Sequence, residues 1–334
     1  MTLEVPLRFD GCDNRLNPTG TIPSVGTLRG LIDIGTNSVK LLVAEVNGHC
    51  VRPVHEVSEQ TRLGRGFYET HRLLPEAIQD TADAVLHFKK IAEELRVESL
   101  KVIATSAARD AQNQAELLEA VQRLSGLVVE VISGDQEAEW VYQGVTTDPA
   151  IAGGRLLILD VGGGSSEFIL GEGPRKQFQE SFHMGSVRLL EQLHPADPPL
   201  PGELQACRNT IRSFISERIV PDVGRALRSS TTPCRLIGTG GASTIMGRII
   251  YQLESFERDR LEGAVLKRTD IHSLVERLWS LSFNDRRRII GLPKKRADVI
   301  LTGAAIYEGV MEQLGFDELT ISTRGIRFGG LLMR

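Results

Sequence analysis

Two short segments of the chain combine a leading carboxylate with glycine and hydroxyl side chains at a bend between apolar runs. They are Asp33–Ser38 (DIGTNS) and Asp160–Glu167 (DVGGGSSE). Because glycine leaves backbone N–H groups open to a close ligand, such bends can bind a phosphate group. Asp-x-Gly alone usually marks an ordinary turn, whereas three successive glycines between apolar runs favour ligand binding.

The polar groups at these bends predict a phosphate site that also holds a divalent cation. The carboxylates of Asp33, Asp160 and Glu167 can supply oxygen ligands to Mg²⁺, which also bridges phosphate oxygens; Mn²⁺ is an alternative ion. Hydroxyl, amide and N–H groups of the same bends can contact the phosphate. The expected phosphate-binding residues are Thr36, Asn37, Ser38, Gly162, Gly163, Gly164, Ser165 and Ser166.

A third glycine-rich segment, IGTGGAST (237–244), stands between a predicted strand and a helix that begins near Ala242. Gly240 and Gly241 would then lie at a helix N-terminus, where unpaired N–H groups bind anions. Taken alone, the segment is better explained as a tight turn with Ser243 or Thr244 near a helix cap.

The segment ATSAARDAQN (104–113) also follows a predicted strand and leads into a predicted helix. Thr105, Ser106 and Arg109 can face a phosphate there, and Arg109 is the only fixed cation of that segment. A solvated arginine at the start of a helix fits the pattern equally well. Basic runs at 286–288 and 294–296 are typical of solvated surface, although they can also attract a long anionic chain.

Glu137 lies in the segment VISGDQEAEWVYQGV (131–145). Ser133 and Gln136 have the spacing of a capping box, so this spacing predicts a helix over Gly134–Val145. Glu137 then falls in the first helical turn, where a carboxylate interacts favourably with the helix dipole. In a cleft it can also deprotonate a water molecule for attack on phosphorus. The spacing alone favours the dipole role.

Hydrophobic periodicity predicts the elements that position these residues. Strands are expected at 28–35, 39–48, 51–60, 99–106, 126–133, 155–171 (two strands and a turn), 176–183, 235–238 and 318–322. Helices are expected at 75–95, 110–124, 201–227, 242–253, 269–280 and 296–314, with a short helix in the last residues.

The residues of the first phosphate-binding bend recur in the second at a constant separation in the sequence. The Asp, Gly and Ser at 33, 35 and 38 recur at 160, 162 and 165, a separation of 127 residues in each case. The predicted elements around each bend also follow a similar order. Although two common turns can coincide, this order favours duplication of one βββαβαβ unit and a mixed sheet in each half.

The overall composition excludes several classes of protein. The chain has 334 residues, with 39 Lys and Arg against 43 Asp and Glu, and its net charge of −4 argues against a general nucleic-acid or anionic-membrane binder. No apolar run approaches the ~18 residues of a membrane span. The four scattered cysteines match no zinc or dense disulfide pattern, which favours a cytoplasmic location.

The chain is expected to divide into a leader and two domains. Residues 1–27 are rich in Pro, Gly, Asn and Thr, show no signal-peptide pattern and are expected to form a flexible leader. Residues 28–135 are assigned to the first domain, with 323–334 as a candidate to complete it. Residues 136–322 are assigned to the second domain.

Seven segments together resemble the exopolyphosphatase/guanosine-pentaphosphate phosphatase family. They occur in order from Leu28 to the C-terminus: LIDIGTNSVKLL, ATSAARDA, ISGDQEAEWVYQGV, LDVGGGSSEF, SFHMGSVRL, GTGGAST and ADVILTGAAI. The resemblance implies the α/β actin-like ATPase (ribonuclease H-like) fold, with duplicated βββαβαβ domains that flank a cleft, in the short two-domain type. Gln136 departs from the family, which often has an acidic residue there.

The resemblance also implies hydrolysis of a terminal phosphoanhydride with Mg²⁺. The family's catalytic base falls on Glu137, and its arginine near the terminal phosphate falls on Arg109. Its phosphate loops fall on Asp33–Ser38 and Asp160–Glu167. The expected phosphate-binding set also includes Asp33, Gly35, Thr105, Ser106, Gly240 and Gly241.

Inorganic polyphosphate is the expected substrate, and guanosine pentaphosphate is the alternative within the family. A small-molecule kinase of the same fold is a further alternative, but it would need an acceptor-binding insertion for which the first half has little room. A non-catalytic polyphosphate or alarmone sensor is the last alternative, and Glu137 argues against it. We expect a homodimer without nucleic-acid or membrane partners.

Overall fold

A computed structural model describes residues 26–333, which form two α/β domains with mixed sheets. The predicted leader lies outside the described residues except for its last two positions. In the first sheet the strand order is β3-β2-β1-β4-β5. Strand β2 is antiparallel to both of its neighbours, β1 and β3, whereas β4 and β5 are parallel to β1. Its strands are β1 (Thr27–Ile34), β2 (Val39–Asn47), β3 (Cys50–Glu59), β4 (Ser99–Ala104) and β5 (Val129–Val131).

The second sheet repeats this order and adds one antiparallel edge strand. Its strands are β6 (Arg155–Val161), β7 (Ser166–Glu172), β8 (Arg175–Phe182), β9 (Cys234–Thr239), β10 (Val265–Lys267) and β11 (Glu318–Ile321). They are arranged β8-β7-β6-β9-β11-β10, so β6, β7, β8, β9 and β11 match β1–β5. The duplication predicted from the constant separation of the two bends is therefore confirmed in the topology.

Helices cover both sheets, and none that the structure describes between residues 26 and 333 is long and apolar enough to cross a membrane. They are α1 (Phe67–Thr70), α2 (Pro75–Glu94), α3 (Ser106–Asp110), α4 (Gln114–Ser125), α5 (Gly134–Val145), α6 (Pro149–Ala152), α7 (Ser186–Leu193), α8 (Glu203–Phe214), α9 (Arg225–Arg228), α10 (Gly240–Ile250), α11 (Arg258–Leu261), α12 (Arg268–Ser280), α13 (Phe283–Arg286), α14 (Ile300–Leu314) and α15 (Ile326–Leu332). A π-helical segment, Ile215–Gly224, joins α8 to α9, and a 3₁₀ turn covers Lys294–Arg296.

Three expected helices differ from the structure, and the one expected at 201–227 consists of α8, the π-helical segment and α9. The helix expected at 110–124 begins only at Gln114, after Asn113, whose side-chain amide binds both the N–H (2.8 Å) and the C=O (3.1 Å) of Leu73. The helix expected at 296–314 begins only at Ile300. The short elements α1, α3, α6, α7, α11, α13 and β10 were not predicted, because segments of so few residues show little periodicity.

Helix α5 packs against α15 and contributes to the apolar clusters of both sheets. Trp140 joins Leu31, Leu42 and Phe328 on the first sheet, whereas the opposite stripe of α5 covers β6 and β7 of the second. The two helices approach so closely that a Cβ added at Gly329 would lie 1.9 Å from the carbonyl oxygen of Trp140. The proposed boundary between residues 135 and 136 falls in α5, and it stays a prediction.

Candidate active site

A cavity of about 720 Å³ lies between the two domains. The β1–β2 hairpin reaches it from the first domain and the β6–β7 hairpin from the second. Sixteen of the predicted site residues line it: Asp33, Gly35, Thr36, Asn37, Ser38, Thr105, Ser106, Glu137, Asp160, Gly162, Gly163, Gly164, Ser165, Glu167, Gly240 and Gly241. The remaining two predicted residues, Arg109 and Ser166, are not among the lining residues.

The two hairpins have the same turn and the same register. The Gly35 N–H donates to the Ser38 carbonyl (3.1 Å), just as the Gly162 N–H donates to the Ser165 carbonyl (2.9 Å). Directly beyond each turn, β1 pairs Asp33 with Lys40, and β6 pairs Asp160 with Glu167. The equivalent positions 40 and 167 thus carry opposite charges.

The glycines of the second hairpin permit close contact with the first domain. A Cβ added at Gly163 would lie 2.7 Å from the Cβ of Thr36. One added at Gly164 would lie 2.3 Å from the Tyr68 hydroxyl and 2.4 Å from the Ser106 hydroxyl. Side chains at these two positions would therefore push the domains apart and widen the cleft between the hairpins.

The structure corrects the assignment of Ser166 to phosphate binding. Ser166 is fully buried, and its hydroxyl donates to the backbone carbonyl of Met184 within the second domain. Successive residues of a strand point to opposite faces, so the side chain of Ser166 turns inward where those of Ser165 and Glu167 line the cavity. Sequence reasoning treated the two serines as equivalent because it took both as part of the turn.

Glu137 lies in the first turn of α5, where the expected capping box is present. The Ser133 hydroxyl accepts a hydrogen bond from the Gln136 N–H (3.1 Å), and the Ser133 N–H donates to the Gln136 side chain (3.0 Å). Glu137 itself is only 9% exposed. Its Oε2 accepts a hydrogen bond from Nη1 of Arg109 at 3.1 Å, and that same nitrogen donates to the Ile132 carbonyl. Arg109 therefore reaches the cavity through Glu137.

Burial raises the pKa of Glu137 to about 7. The Arg109 guanidinium opposes this effect, whereas the nearby carboxylates of Asp33 and Asp160 add to it. A carboxylate with a pKa near neutrality can accept a proton from water and release it again, as a general base must.

Three further carboxylates surround the same space. Burial raises the pKa of Asp33 and Glu167 and raises that of Asp160 to about 6; Lys40 opposes the effect at both aspartates. The Asp33 Oδ1 is buried and has no hydrogen-bond partner among the described residues. A Cβ added at Gly240 would lie 2.2 Å from Oδ1 of Asp160, so glycine is needed beside that oxygen.

These oxygens fit a divalent cation that is shared with a substrate. Within residues 26–333 no group of three or more His, Cys, Asp or Glu side chains is arranged to hold a metal ion alone. Mg²⁺ usually takes only one or two protein carboxylates and completes its shell with water and phosphate oxygens. Asp33, Asp160 and Glu167 suit that mode, because the orphaned oxygen of Asp33 needs a partner that the protein does not provide.

The cavity is lined by six basic residues that were missed as site residues, namely Lys40, Arg248, Lys294, Lys295, Arg296 and Arg327. Lys40 lines it, and burial lowers its pKa although Asp33 opposes the effect. The repeat offered a signal for Lys40, since it is the counterpart of Glu167. Arg296 lies in a basic run that was interpreted as mainly solvated, but its Nη2 donates to the Ser38 hydroxyl at 2.7 Å. Burial lowers the pKa of Arg296 to about 10.

The other basic run has no role in the cavity. Arg286 is 3% exposed and donates to the carbonyls of Ala297 (2.8 Å) and Leu281 (2.5 Å), so it stabilises the local fold. Neither Arg287 nor Arg288 is among the cavity-lining residues. The expectation that this run attracts an anionic chain thus gains no support from its position.

The chain is similar to known proteins along most of its length. The chain matches the family described as the Ppx/GppA phosphatase family over residues 42–334. It is 32% identical to exopolyphosphatase 2 of Mycobacterium tuberculosis, over 89% of this chain and 95% of that protein. It is 28% identical to the guanosine-5'-triphosphate,3'-diphosphate pyrophosphatase of Aeromonas hydrophila, over 90% of this chain but 58% of that longer protein.

A solved structure has the same architecture. The crystal structure of an exopolyphosphatase from Cytophaga hutchinsonii superposes with a TM-score of 0.82, covers 91% of this chain and 96% of that chain, and is 26% identical in sequence. The expected actin-like ATPase fold is confirmed, since structures of this family have that fold.

Proposed function

Because the chain belongs to the Ppx/GppA phosphatase family, whose named members are phosphoanhydride hydrolases, we propose that it hydrolyses the terminal phosphoanhydride of inorganic polyphosphate. The observation that carries the proposal is the position of Glu137. Its buried carboxylate, with a pKa of about 7, lies in one cavity with both glycine-rich hairpins. A general base and a phosphate cradle in one cleft support attack of water on phosphorus.

In the proposed mechanism, the terminal phosphate binds between the two hairpins. N–H groups of Gly163, Gly164 and Ser165 donate to its oxygens, together with the Ser38 hydroxyl. Glu137 accepts a proton as the water oxygen bonds to phosphorus and the bridging P–O bond breaks. Arg109 holds the Glu137 carboxylate in place through its hydrogen bond to Oε2.

Asp33, Asp160 and Glu167 are the residues that would hold Mg²⁺. When bound, the ion would neutralise phosphate charge and orient the substrate. Mg²⁺ rather than Mn²⁺, a homodimer and a cytoplasmic location are the finer parts of this proposal, and they rest on the sequence.

Guanosine pentaphosphate is the second candidate substrate. It is favoured by the similarity to the Aeromonas hydrophila enzyme named above. One preparation should therefore be assayed for phosphate release from long polyphosphate, short polyphosphate, guanosine pentaphosphate and ATP. Preferential release from polyphosphate supports the main proposal, and preferential release from guanosine pentaphosphate replaces it. Release from none of the four would contradict both.

Activity should depend on pH through Glu137. The base must be ionised, so activity is present above a pH of about 7 and is lost as the pH falls through that value. A single base of this pKa leaves kcat/KM at pH 5 roughly 100-fold below its plateau, since each pH unit costs about tenfold. The profile from pH 5 to 9 measures this. The weak residual activity of Glu137→Gln should not fall in this way at low pH. This variant therefore distinguishes ionisation of Glu137 from ionisation of the substrate.

Removal of divalent cations should abolish activity, and added Mg²⁺ should restore it. Asp33→Asn should raise the Mg²⁺ concentration for half-maximal activity by roughly tenfold or more, since loss of an outer-shell partner alone often costs that much. Asp135→Asn, on the exposed side of α5, is the matched control and should leave the Mg²⁺ dependence unchanged. Full activity in excess chelator would exclude the proposed ion.

A further inference from the structure

Helix α7 of the second domain contacts the first domain next to the cavity. Glu191, on its second turn, accepts hydrogen bonds from the N–H groups of Gly66 (2.6 Å) and Tyr68 (3.3 Å). These two donors belong to the start of α1, whose N-cap Gly66 has the positive φ of 66°. The carboxylate therefore fastens α7 to a short helix of the other domain.

Arg188, one turn earlier on α7, joins three parts of the molecule with one side chain. Its Nε donates to the carbonyl of Gly164 in the second hairpin at 2.9 Å. The guanidinium carbon lies 4.2 Å above the ring centre of Tyr68. Its Nη2 also lies 3.4 Å from Oδ2 of Asp110. Tyr68 and Asp110 both belong to the first domain, so Arg188 holds the hairpin against that domain.

Asp110 continues this connection to the proposed catalytic residues. Its Oδ1 is 3.8 Å from Nε of Arg109, whose Nη1 donates to Glu137. The charged side chains of Arg188, Asp110, Arg109 and Glu137 are all at least three-quarters buried, with exposures of 24%, 24%, 20% and 12%. Partly buried charge pairs are screened by salt much less than surface pairs, so these four side chains retain more of their electrostatic attraction.

We propose that Arg188 and Glu191 form an interdomain clamp and act as positioning residues for hydrolysis. The clamp sets the separation between the second hairpin, which cradles the phosphate, and Arg109 with Glu137, which activate water. This inference rests on the proposed function. In-line attack needs the water and phosphorus within about 3–3.5 Å, and a misplacement of about 1 Å can cost 10²-fold in rate.

The test compares Arg188→Met, Asp110→Asn and the double variant by steady-state kinetics on the best substrate. We expect Arg188→Met to lower kcat about tenfold to a hundredfold. KM should change by less than about threefold, because the hairpins that bind phosphate remain intact. The kcat of the double variant should lie within about twofold of the kcat of the slower single variant, because both substitutions break the same connection.

Arg212→Met is the matched control, because Arg212 pairs with Glu312 (3.2 Å) on an exposed surface of the second domain. It should retain kcat within about twofold. Arg188→Lys keeps the charge beside Asp110 but cannot place an Nε–H on Gly164, so it should recover only part of the loss. If Arg188→Met does not fold, kcat is measured instead for Glu191→Gln, which keeps one acceptor oxygen.

The clamp is overturned if Arg188→Met and Glu191→Gln retain wild-type kcat, or if the losses in the double variant multiply. An equal loss of kcat in Arg212→Met would also overturn it. So would a loss of kcat that is fully explained by a smaller fraction of folded protein. If wild-type protein releases phosphate from no substrate, the proposed function fails separately. Small-angle scattering then decides, since the clamp predicts a larger radius of gyration for Arg188→Met and an unchanged radius refutes it.

Discussion

Replacement of Glu137 by Gln should lower kcat for phosphate release by about 10²–10⁴-fold, the usual contribution of a general base. Gln has nearly the same shape and can still accept the hydrogen bond from Arg109, so the cavity should keep its form. The amide cannot accept a proton from water at neutral pH. The loss should therefore appear in kcat, while substrate affinity changes little.

The same helix offers a control for this variant. Glu139 lies two residues further along α5 and pairs with Lys176 of β8, away from the cavity-lining residues. Glu139→Gln makes the same chemical change on the same element and should retain wild-type kcat. Circular dichroism and thermal unfolding should match for both variants. If kcat of Glu137→Gln stays within threefold of wild type, another residue activates the water.

Gly329→Ala should be among the most destabilising single changes in the chain. The added methyl group would lie 1.9 Å from the Trp140 carbonyl oxygen and 2.6 Å from its carbon. Both are backbone atoms of α5 and cannot rotate away, so α5 and α15 would have to separate. Overpacking of this kind costs about 3 kcal/mol at the upper end of its usual range. Urea unfolding measures the difference.

Gly153→Ala provides the comparison for this stability effect. Gly153 has φ −75° and ψ 136°, which any residue adopts, and an added Cβ meets nothing within 4 Å. Its free energy of unfolding should stay within about 0.5 kcal/mol of wild type. Because α5 carries Glu137, the folded fraction of Gly329→Ala should also lose activity. Equal stability of the two variants would mean that α5 and α15 are not packed as described.

Local signals explain which parts of this structure could be predicted. The capping box at Ser133 and Gln136 defines the start of α5, because both partners lie within one turn. The duplication was predicted because the Asp, Gly and Ser residues of the first hairpin recur in the second at one constant separation in the sequence. These features depend on neighbouring residues, so one sequence contains the information.

Contacts between distant parts of the chain could not be predicted in this way. Arg296 binds Ser38 across 258 positions, and no pattern in the basic run distinguishes it from Arg286, which is buried in the local fold. Helix α4 begins directly after Asn113, whose side-chain amide binds the backbone of Leu73, 40 positions away. The inward orientation of Ser166 depends on where β7 begins, and strand ends are the least certain part of a sequence pattern.

The opposite charges at positions 40 and 167 bear on how such a molecule could have evolved. A dimer of two identical ancestral units would place the same side chain at both positions, so its two half-sites would repel or attract a phosphate alike. In a single chain the two copies can differ, and here one carries a cation at position 40 and the other an acid at position 167. The two sides of the cleft therefore carry different charges at equivalent positions, so the two ends of an elongated anion bound there would have different surroundings.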